Sequence, residues 1–600
     1  MDAYFDFLCT LVLVTCLVCL IITYLWVISH SYDYFKCRGI SGPPHRFFFG
    51  HYKDFWSTKS FSKQLKQWTN QYGSIYGLFM GTKPMYVVSD VDFLQEVYIK
   101  QFSSFHSRHL SIILRLQTGH KIHLFSAVGS RWRRQRHVLN PTFSSNKLTL
   151  MSPLVTESIE AMLQKISSLV QKQTIEMNIY QLYKRMTMDI ICRCAFGIDT
   201  DMQNDTDNIY LKKCAGTFEL DVDQLVGSRW RRQRHVLNPT FSSNKLTLMS
   251  PLVTESIEAM LQKISSLVQK QTIEMNIYQL YKRMTMDIIC RCAFGIDTDM
   301  QNDTDNIYLK KCAGTFELDV DQLSIVKLTD LFPFFVKPFR YFYLCQITVY
   351  VVNFRKKSLM KRIDLLQLMI DASTDGEVKD NIDEQTTTKV LHSDEVVSNV
   401  FLFMIAGYET TSTALAYSTY ILATKPHIQQ QLHQEIDQID WNHRDEVTMY
   451  ETAINLRYLD LFMREVLRMY PIATKGMMRE CNTTATVCGH TIEKGSVIQP
   501  DVFSIHYNPD LWGPEDPNIF YPERHVEKRH PVAWMPFGVG PRNCIGMRFA
   551  LMELKMCLIR LLREYEILPG DGIEEGFRLE ERLVIQPDAV LVKLRKRSNA

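Results

Sequence analysis

The sequence predicts one N-terminal membrane helix, long apolar helices within the body and a short β-hairpin, and three observations carry that prediction. Residues 7–29 contain no charged side chain, enough for a helix that crosses a hydrocarbon core of about 30 Å. Two further apolar stretches, roughly residues 393–425 and 547–562, have helical length and spacing. The plainest β signal is short: Ser74–Met80 and Pro84–Val88 alternate as a hairpin with Gly81 in its turn.

Length alone would suggest several domains, since the chain has 600 residues, of which 46% are apolar and 22% charged. A repeat changes that estimate. Residues 128–225 recur without a single change as residues 226–323, so removing one 98-residue copy from the 600 leaves 502. Solenoid repeats are short, numerous and divergent. One identical pair reads instead as a recent tandem duplication or an error in assembling the sequence. We therefore divide the chain into an anchor, 1–30, and one body, 31–600, in which one copy is surplus. Loop-closure entropy tolerates a long insertion, but the apolar faces of an undocked copy favour misfolding or aggregation.

A net charge of +3 gives no electrostatic case for nucleic acid. The fifteen cysteines, three of them in each repeat copy, follow no disulfide or zinc pattern and suit a reducing compartment that faces the cytosol.

Taken in order, the anchor begins with acids only (Asp2, Asp6) and is followed by Lys36 and Arg38, which orients the body toward the cytosol. A cleaved signal peptide is the other reading of such a start; the long apolar run and the lack of a small-x-small site speak against it. Gly42-Pro43-Pro44 then breaks the helix from the body. Trp132 and Arg136, with their twins Trp230 and Arg234, share a helix face at a spacing of four. An amphipathic basic helix explains that spacing equally well. Residues 373–392 read as a solvated linker, and Ser393 with Asp394 and Glu395 as the capped start of a long helix that ends near Pro426.

Inside that helix, Ala406-Gly407-Tyr408-Glu409-Thr410-Thr411-Ser412 interrupts an apolar core with a glycine, an acid and hydroxyls. Gly407 alone costs about 1 kcal/mol there, so the segment needs a reason. Threonines that bond back to the preceding turn are the plain alternative. Farther on, Glu465 and Arg468 pair at i and i+3, and Pro522-Glu523-Arg524 follows about 56 residues later. Pro471–Met478 is expected to enter a strand beside a cavity. Asn482-Thr483-Thr484 spells a glycosylation site that a cytosolic domain would leave unmodified.

The stretch that organises the chain is Phe537-Gly538-Val539-Gly540-Pro541-Arg542-Asn543-Cys544-Ile545-Gly546. Its glycines and proline forbid a regular element, and a helix follows, so Cys544 is expected on a tight loop at a helix start. Amides and the positive helix end there should lower its thiol pKa and make it a metal ligand. The pattern Phe-x-x-Gly-x-Arg-x-Cys-x-Gly resembles the haem-binding loop of the cytochrome P-450 superfamily. Residues 406–412 and 537–550 resemble most the animal microsomal family-three group, the drug- and steroid-oxidising enzymes, with thromboxane synthase nearby.

That resemblance implies a mainly α fold with a small β-rich lobe, the cytochrome P-450 fold, holding haem b (iron protoporphyrin IX) with Cys544 as the axial iron ligand. It implies that Phe537, at the start of the loop, helps to bind the haem. Trp132 and Arg136, or Trp230 and Arg234, would join Arg479 and Arg542 on the haem propionates. Glu409 and Thr410 would relay protons during oxygen activation. Glu465, Arg468 and Arg524 would form a buried structural network, with His525 in place of the usual Phe. Because the copies are identical, the sequence does not choose between them. Docking the first puts the surplus between Leu225 and Ser324, docking the second puts it between Ala127 and Val226, and hybrid docking is equally legal; the first disturbs the site less.

The implied reaction is monooxygenation of a lipophilic small molecule (a xenobiotic, a steroid or a fatty-acid-like compound) at the endoplasmic reticulum membrane, with O₂ as co-substrate. No Gly-x-Gly-x-x-Gly follows a strand, so electrons would come from a separate NADPH-cytochrome P-450 reductase, with cytochrome b5 as an optional second donor. Two rivals stand beside it: a haem-thiolate isomerase of lipid peroxides, and a non-catalytic haem-binding product of the duplication.

Overall fold

The computed structural model describes residues 2–109, 123–127, 129–139, 274–276, 365–374, 376, 390–439, 452–453, 455–581 and 584–597. Helix α1, Asp2–Ser31, opens the chain. The stretch Val14–Lys36 is long and apolar enough to cross a bilayer, and apolar side chains such as Leu20, Ile22 and Trp26 are exposed along it. Its far end is anchored in the body, where Ile28, Tyr32 and Phe35 are buried. Gly77 makes that possible. A Cβ there would stand 2.4 Å from the Phe35 ring, so only glycine lets the aromatic lie on the sheet.

Helix α2, Phe61–Tyr72, is capped by Ser60 and buries Phe61, Ser62 and Leu65. Strands β1 (Ile75–Met80) and β2 (Lys83–Val88) pair antiparallel from Ile75 with Val88 to Met80 with Lys83, and Gly81 takes a positive φ of 63° in the turn. The two faces of this hairpin do different work. Phe79, Tyr86 and Val88 pack toward the anchor, whereas Tyr76, Leu78, Met85 and Val87 pack toward α2.

Helix α3, Gly129–Leu139, belongs to the first repeat copy, and strand β3, Glu274–Asn276, to the second. Among the described residues, then, these two elements come from different copies. Between them lie 134 residues, where a single copy would leave 36. Trp230 and Arg234 lie outside the described residues, as does most of the expected linker.

Helix α4, Ser393–Thr424, is the longest of the described helices at 32 residues. Its cap is His392 rather than the expected Ser393. His392 Nδ1 accepts from the Asp394 amide at 3.2 Å, and Glu395 Oε2 accepts from the His392 amide at 3.0 Å, a capping box shifted by one residue. Helices α5 (Pro426–Asp437) and α6 (Arg457–Met469) follow. Residues 475–477 form a single 3₁₀ turn, so the strand expected from Pro471 begins only at Arg479, as β4 (Arg479–Glu480). Strand β5, Val497–Pro500, runs parallel to β2 and antiparallel to β4, which gives a four-stranded sheet in the order β1-β2-β5-β4. Short helix α7, Val502–His506, leads on toward the cysteine loop and α8, Met547–Glu564. Strands β6 (Tyr565–Pro569), β7 (Leu579–Glu581), β8 (Ile585–Pro587) and β9 (Leu591–Lys596) complete the chain. A three-stranded sheet has the order β6-β9-β3, and β7 pairs with β8. Helix α8 packs on α4, α5 and α6, and the cysteine loop leads directly into it.

Candidate active site

The loop before α8 folds as its residues dictate. Gly538 and Gly540 adopt φ of 70° and 72°, and the Cys544 amide donates to the Phe537 carbonyl at 2.8 Å, closing the turn. Gly540 is fixed by space as well as by φ: a Cβ would lie 2.0 Å from the Tyr98 carbonyl oxygen. Cys544 is exposed even though protein crowds it. Burial pushes its thiol up, outweighing the pull of Arg136, the Gly546 amide and Arg108 in the other direction. The expectation of a lowered pKa is thus corrected. Loop and helix end do not by themselves lower this thiol.

Around the sulfur the structure gathers guanidinium groups. Arg136, Arg479 and Arg542 are buried, and Arg136 Nη2 donates to Asn543 Oδ1 at 3.0 Å, which fastens α3 to the cysteine loop. Arg542 lies over the Trp132 ring at 4.3 Å, Arg479 over Tyr98 at 4.7 Å, and Arg108 over Phe125 at 4.3 Å. Arg108 is brought down to about 9 by burial and by its neighbours Arg479 and Arg136. Arg542 is driven well below its ordinary value, again by burial first and then by Arg108, Arg479 and Arg136. Nε of Arg108 and of Arg479, and Nε and Nη1 of Arg542, are buried without a hydrogen-bond partner. Such a cluster is stable only with an anion that takes up those donors.

Haem would answer this demand, with its two carboxylates taking up the open donors and Cys544 holding its iron. The site fits haem.

Glu409 and Thr410 lie on α4. Thr410 is half-buried and its Oγ1 donates to the Ala406 carbonyl at 2.7 Å, the back-bond of an ordinary helix. Glu409 is fully buried, and burial above all holds the neighbouring Tyr417 phenol well above its ordinary pKa.

The expected charge network is present and larger than the sequence indicated. Arg468 donates from Nε and Nη2 to Glu465 at 2.7 and 2.8 Å, and Arg524 Nε donates to Glu465 Oε1 at 3.0 Å. His525 Nε2 reaches Glu465 Oε2 at 2.9 Å, so the residue that departs from the family pattern has joined the network. The spare guanidinium donors hold carbonyls of the loop ahead of the cysteine: Arg468 those of His506 and Pro517, Arg524 those of Trp512, Glu515, Asp516 and Ile519. Burial pushes the Glu465 carboxyl up, but hydrogen bonds from Arg468 and His525, the Arg468 charge and the Tyr521 amide bring it to about 2.

The cytochrome P-450 family model matches residues 40–222 and 217–594. This chain belongs to the cytochrome P-450 family. A putative cytochrome P-450 of Caenorhabditis elegans, CYP13A2, is 30% identical over 589 residues, covering 96% of this chain and 96% of that protein. Cytochrome P-450 3A9 of Rattus norvegicus is 28% identical over 585 residues, covering 96% and 94%. Cytochrome P-450 3A12 of Canis lupus familiaris reaches 32% over 379 residues, covering 60% and 73%. Membership carries the haem-thiolate cofactor and the monooxygenase class of enzyme, and the mainly helical fold with small sheets agrees with it. Each of the two matched segments contains most of one repeat copy.

Three residues of this cytochrome P-450 were missed in the sequence. Arg108 is a lone arginine with no motif around it. Arg134, fully buried, clasps Glu395 at the start of α4 and donates to the Val390 carbonyl at 2.9 Å, a partnership across 261 positions that no local spacing betrays. His525 was noted only as an exception.

One prediction follows from the use of the first copy. Trp132→Ala removes the ring beneath Arg542 and is expected to weaken haem retention by about 2 kcal/mol, roughly thirtyfold. Trp230→Ala is expected to leave retention unchanged, as read from haem per protein after gel filtration. A loss in Trp230→Ala with none in Trp132→Ala would mean that the second copy fills the helix position.

Proposed function

We propose that the protein inserts one atom of O₂ into a lipophilic small molecule while the other leaves as water, with electrons supplied by a separate NADPH-dependent reductase. The observation that carries this reading is the Cys544 side chain beside the buried guanidinium groups of Arg108, Arg479 and Arg542, whose open donors call for a dicarboxylate. Cys544 would hold the iron, while Arg108, Arg136, Arg479, Arg542 and Trp132 would hold the carboxylates. Phe537 keeps the loop closed through its carbonyl. Bound there, thiolate-ligated haem supplies the activation of O₂.

The chain's own part is to hold protons and exclude water. Thr410, half-buried on α4, offers its Oγ1 lone pair toward the open side of the helix once its proton is committed to Ala406. Glu409, one position earlier and fully buried, is the acid from which a proton can be restored. Exposed Ala406 and half-buried Gly407 leave space beside them.

Helix α1 supports attachment to the endoplasmic reticulum membrane with the body toward the cytosol, where the reductase, and cytochrome b5 as a second donor, would meet it. The test is incubation of the holoprotein with reductase, NADPH, isotopically labelled O₂ and a panel of lipophilic compounds. Label is expected in the product, and Thr410→Ala is expected to lower product by roughly a hundredfold while NADPH consumption continues. Rearranged product from a lipid peroxide in the absence of NADPH would replace this reading with an isomerase.

A further inference from the structure

A cavity of about 490 Å³ opens between α2, the end of α6, α7 and the β7–β8 pair, and Cys544 does not line it. Its floor is aromatic: Tyr417, Tyr470, Phe503 and Tyr507. Tyr417 donates to the Ile585 carbonyl at 2.8 Å and so closes the inner end. The lip comes from one stripe of α2. Lys63, Lys66, Gln67 and Asn70 recur at the three- and four-residue spacing of a helix face, while Phe61 and Leu65 turn inward.

The charge at this lip is one-sided. Lys66 Nζ stands 4.4 Å over the Tyr507 ring, and burial draws its ammonium down while Asp501 pulls it up. Asp501 itself is engaged elsewhere, accepting from Thr69 Oγ1 at 2.6 Å and from Ser504 Oγ at 2.5 Å. Among the described residues, no acidic side chain lines the cavity.

We propose that this cavity is a second binding site, for an anionic amphiphile whose apolar body lies on the four rings and whose carboxylate reaches Lys63 and Lys66. The volume is that of a small-molecule site. The rings suit an apolar body, and two ammonium groups without a lining acid select a negative head over a neutral or positive one. The proposal stands independently of the monooxygenase reading, because it concerns binding alone.

Dodecanoate, dodecanol and dodecylamine titrated calorimetrically into the holoprotein test it, with the haem absorption recorded in parallel to mark any occupancy beside Cys544. Dodecanoate is expected to bind without moving that absorption, about tenfold or more tighter than either analogue. Lys63→Glu with Lys66→Glu is expected to erase the preference for the carboxylate, and Leu579→Trp to weaken dodecanoate and dodecanol alike. The absorption of the reduced carbon monoxide complex checks folding; should the double variant fail that check, Lys66→Gln is read in the same way. Equal affinities for dodecanoate and dodecanol, a carboxylate affinity untouched by the lysine changes, or no binding apart from the haem cleft would each overturn the proposal.

Discussion

Cys544→Ser is expected to abolish both the thiolate signature of the carbon monoxide complex and oxidation of every substrate tested, while the polypeptide still folds. The argument is one of chemistry rather than shape. The loop is closed by backbone bonds, chiefly the Cys544 amide to the Phe537 carbonyl at 2.8 Å, and serine leaves these intact. What serine removes is the soft, polarisable donor that sets the electron density at the metal. The guanidinium cluster should still retain part of the pigment through its carboxylates, so the informative result is coloured protein with an altered spectrum and no turnover. Unchanged spectrum and turnover would show that the iron is held elsewhere.

Glu465→Ala is expected to have the largest effect on stability. It leaves Arg468 and Arg524, both fully buried, facing each other without the carboxylate that separates them. Breaking a buried charge pair from one side costs about 3–5 kcal/mol, a large share of the roughly 5–15 kcal/mol that holds a domain together. The loop carbonyls gripped by these arginines should loosen with them, so haem content should fall together with the urea midpoint. The pH dependence has a definite sign. With its carboxyl held at about 2 against an ordinary 4.5, Glu465 contributes stability fully above pH 4.5 and loses it as pH falls toward about 2. Glu465→Gln should therefore be less stable than the parent at neutral pH and should lose less on acidification through that window. Parallel unfolding curves for the two proteins across the window would contradict this assignment.

Much of the site could be read from local spelling. The cysteine loop, the Glu465–Arg468 pair and the α4 signature each fit within about ten residues, where turn chemistry and helix spacing act directly. The hairpin was legible for the same reason. The rest depends on partners brought together only by folding. Arg108 acquires its meaning from Arg479 and Arg542, hundreds of positions away, and Arg134 from Glu395. His392 displaces Ser393 as the cap of α4 because Glu395, already gripped by Arg134, also accepts its amide. The Cys544 thiol was misjudged because helix-end electrostatics are visible in a sequence and desolvation is not. The choice between repeat copies was undecidable in principle, since identical residues carry identical preferences.

The mixed origin of α3 and β3 bears on how such a chain can arise and revert. Treated as a free loop, a connection of 134 residues in place of 36 costs only about 1 kcal/mol more to close. An excision of 98 residues beginning anywhere from Val128 to Val226 restores the same shorter polypeptide, with both elements reconnected and no scar at the join. The lengthening is thus energetically shallow at the docked elements and reversible by a single recombination whose breakpoint leaves no trace.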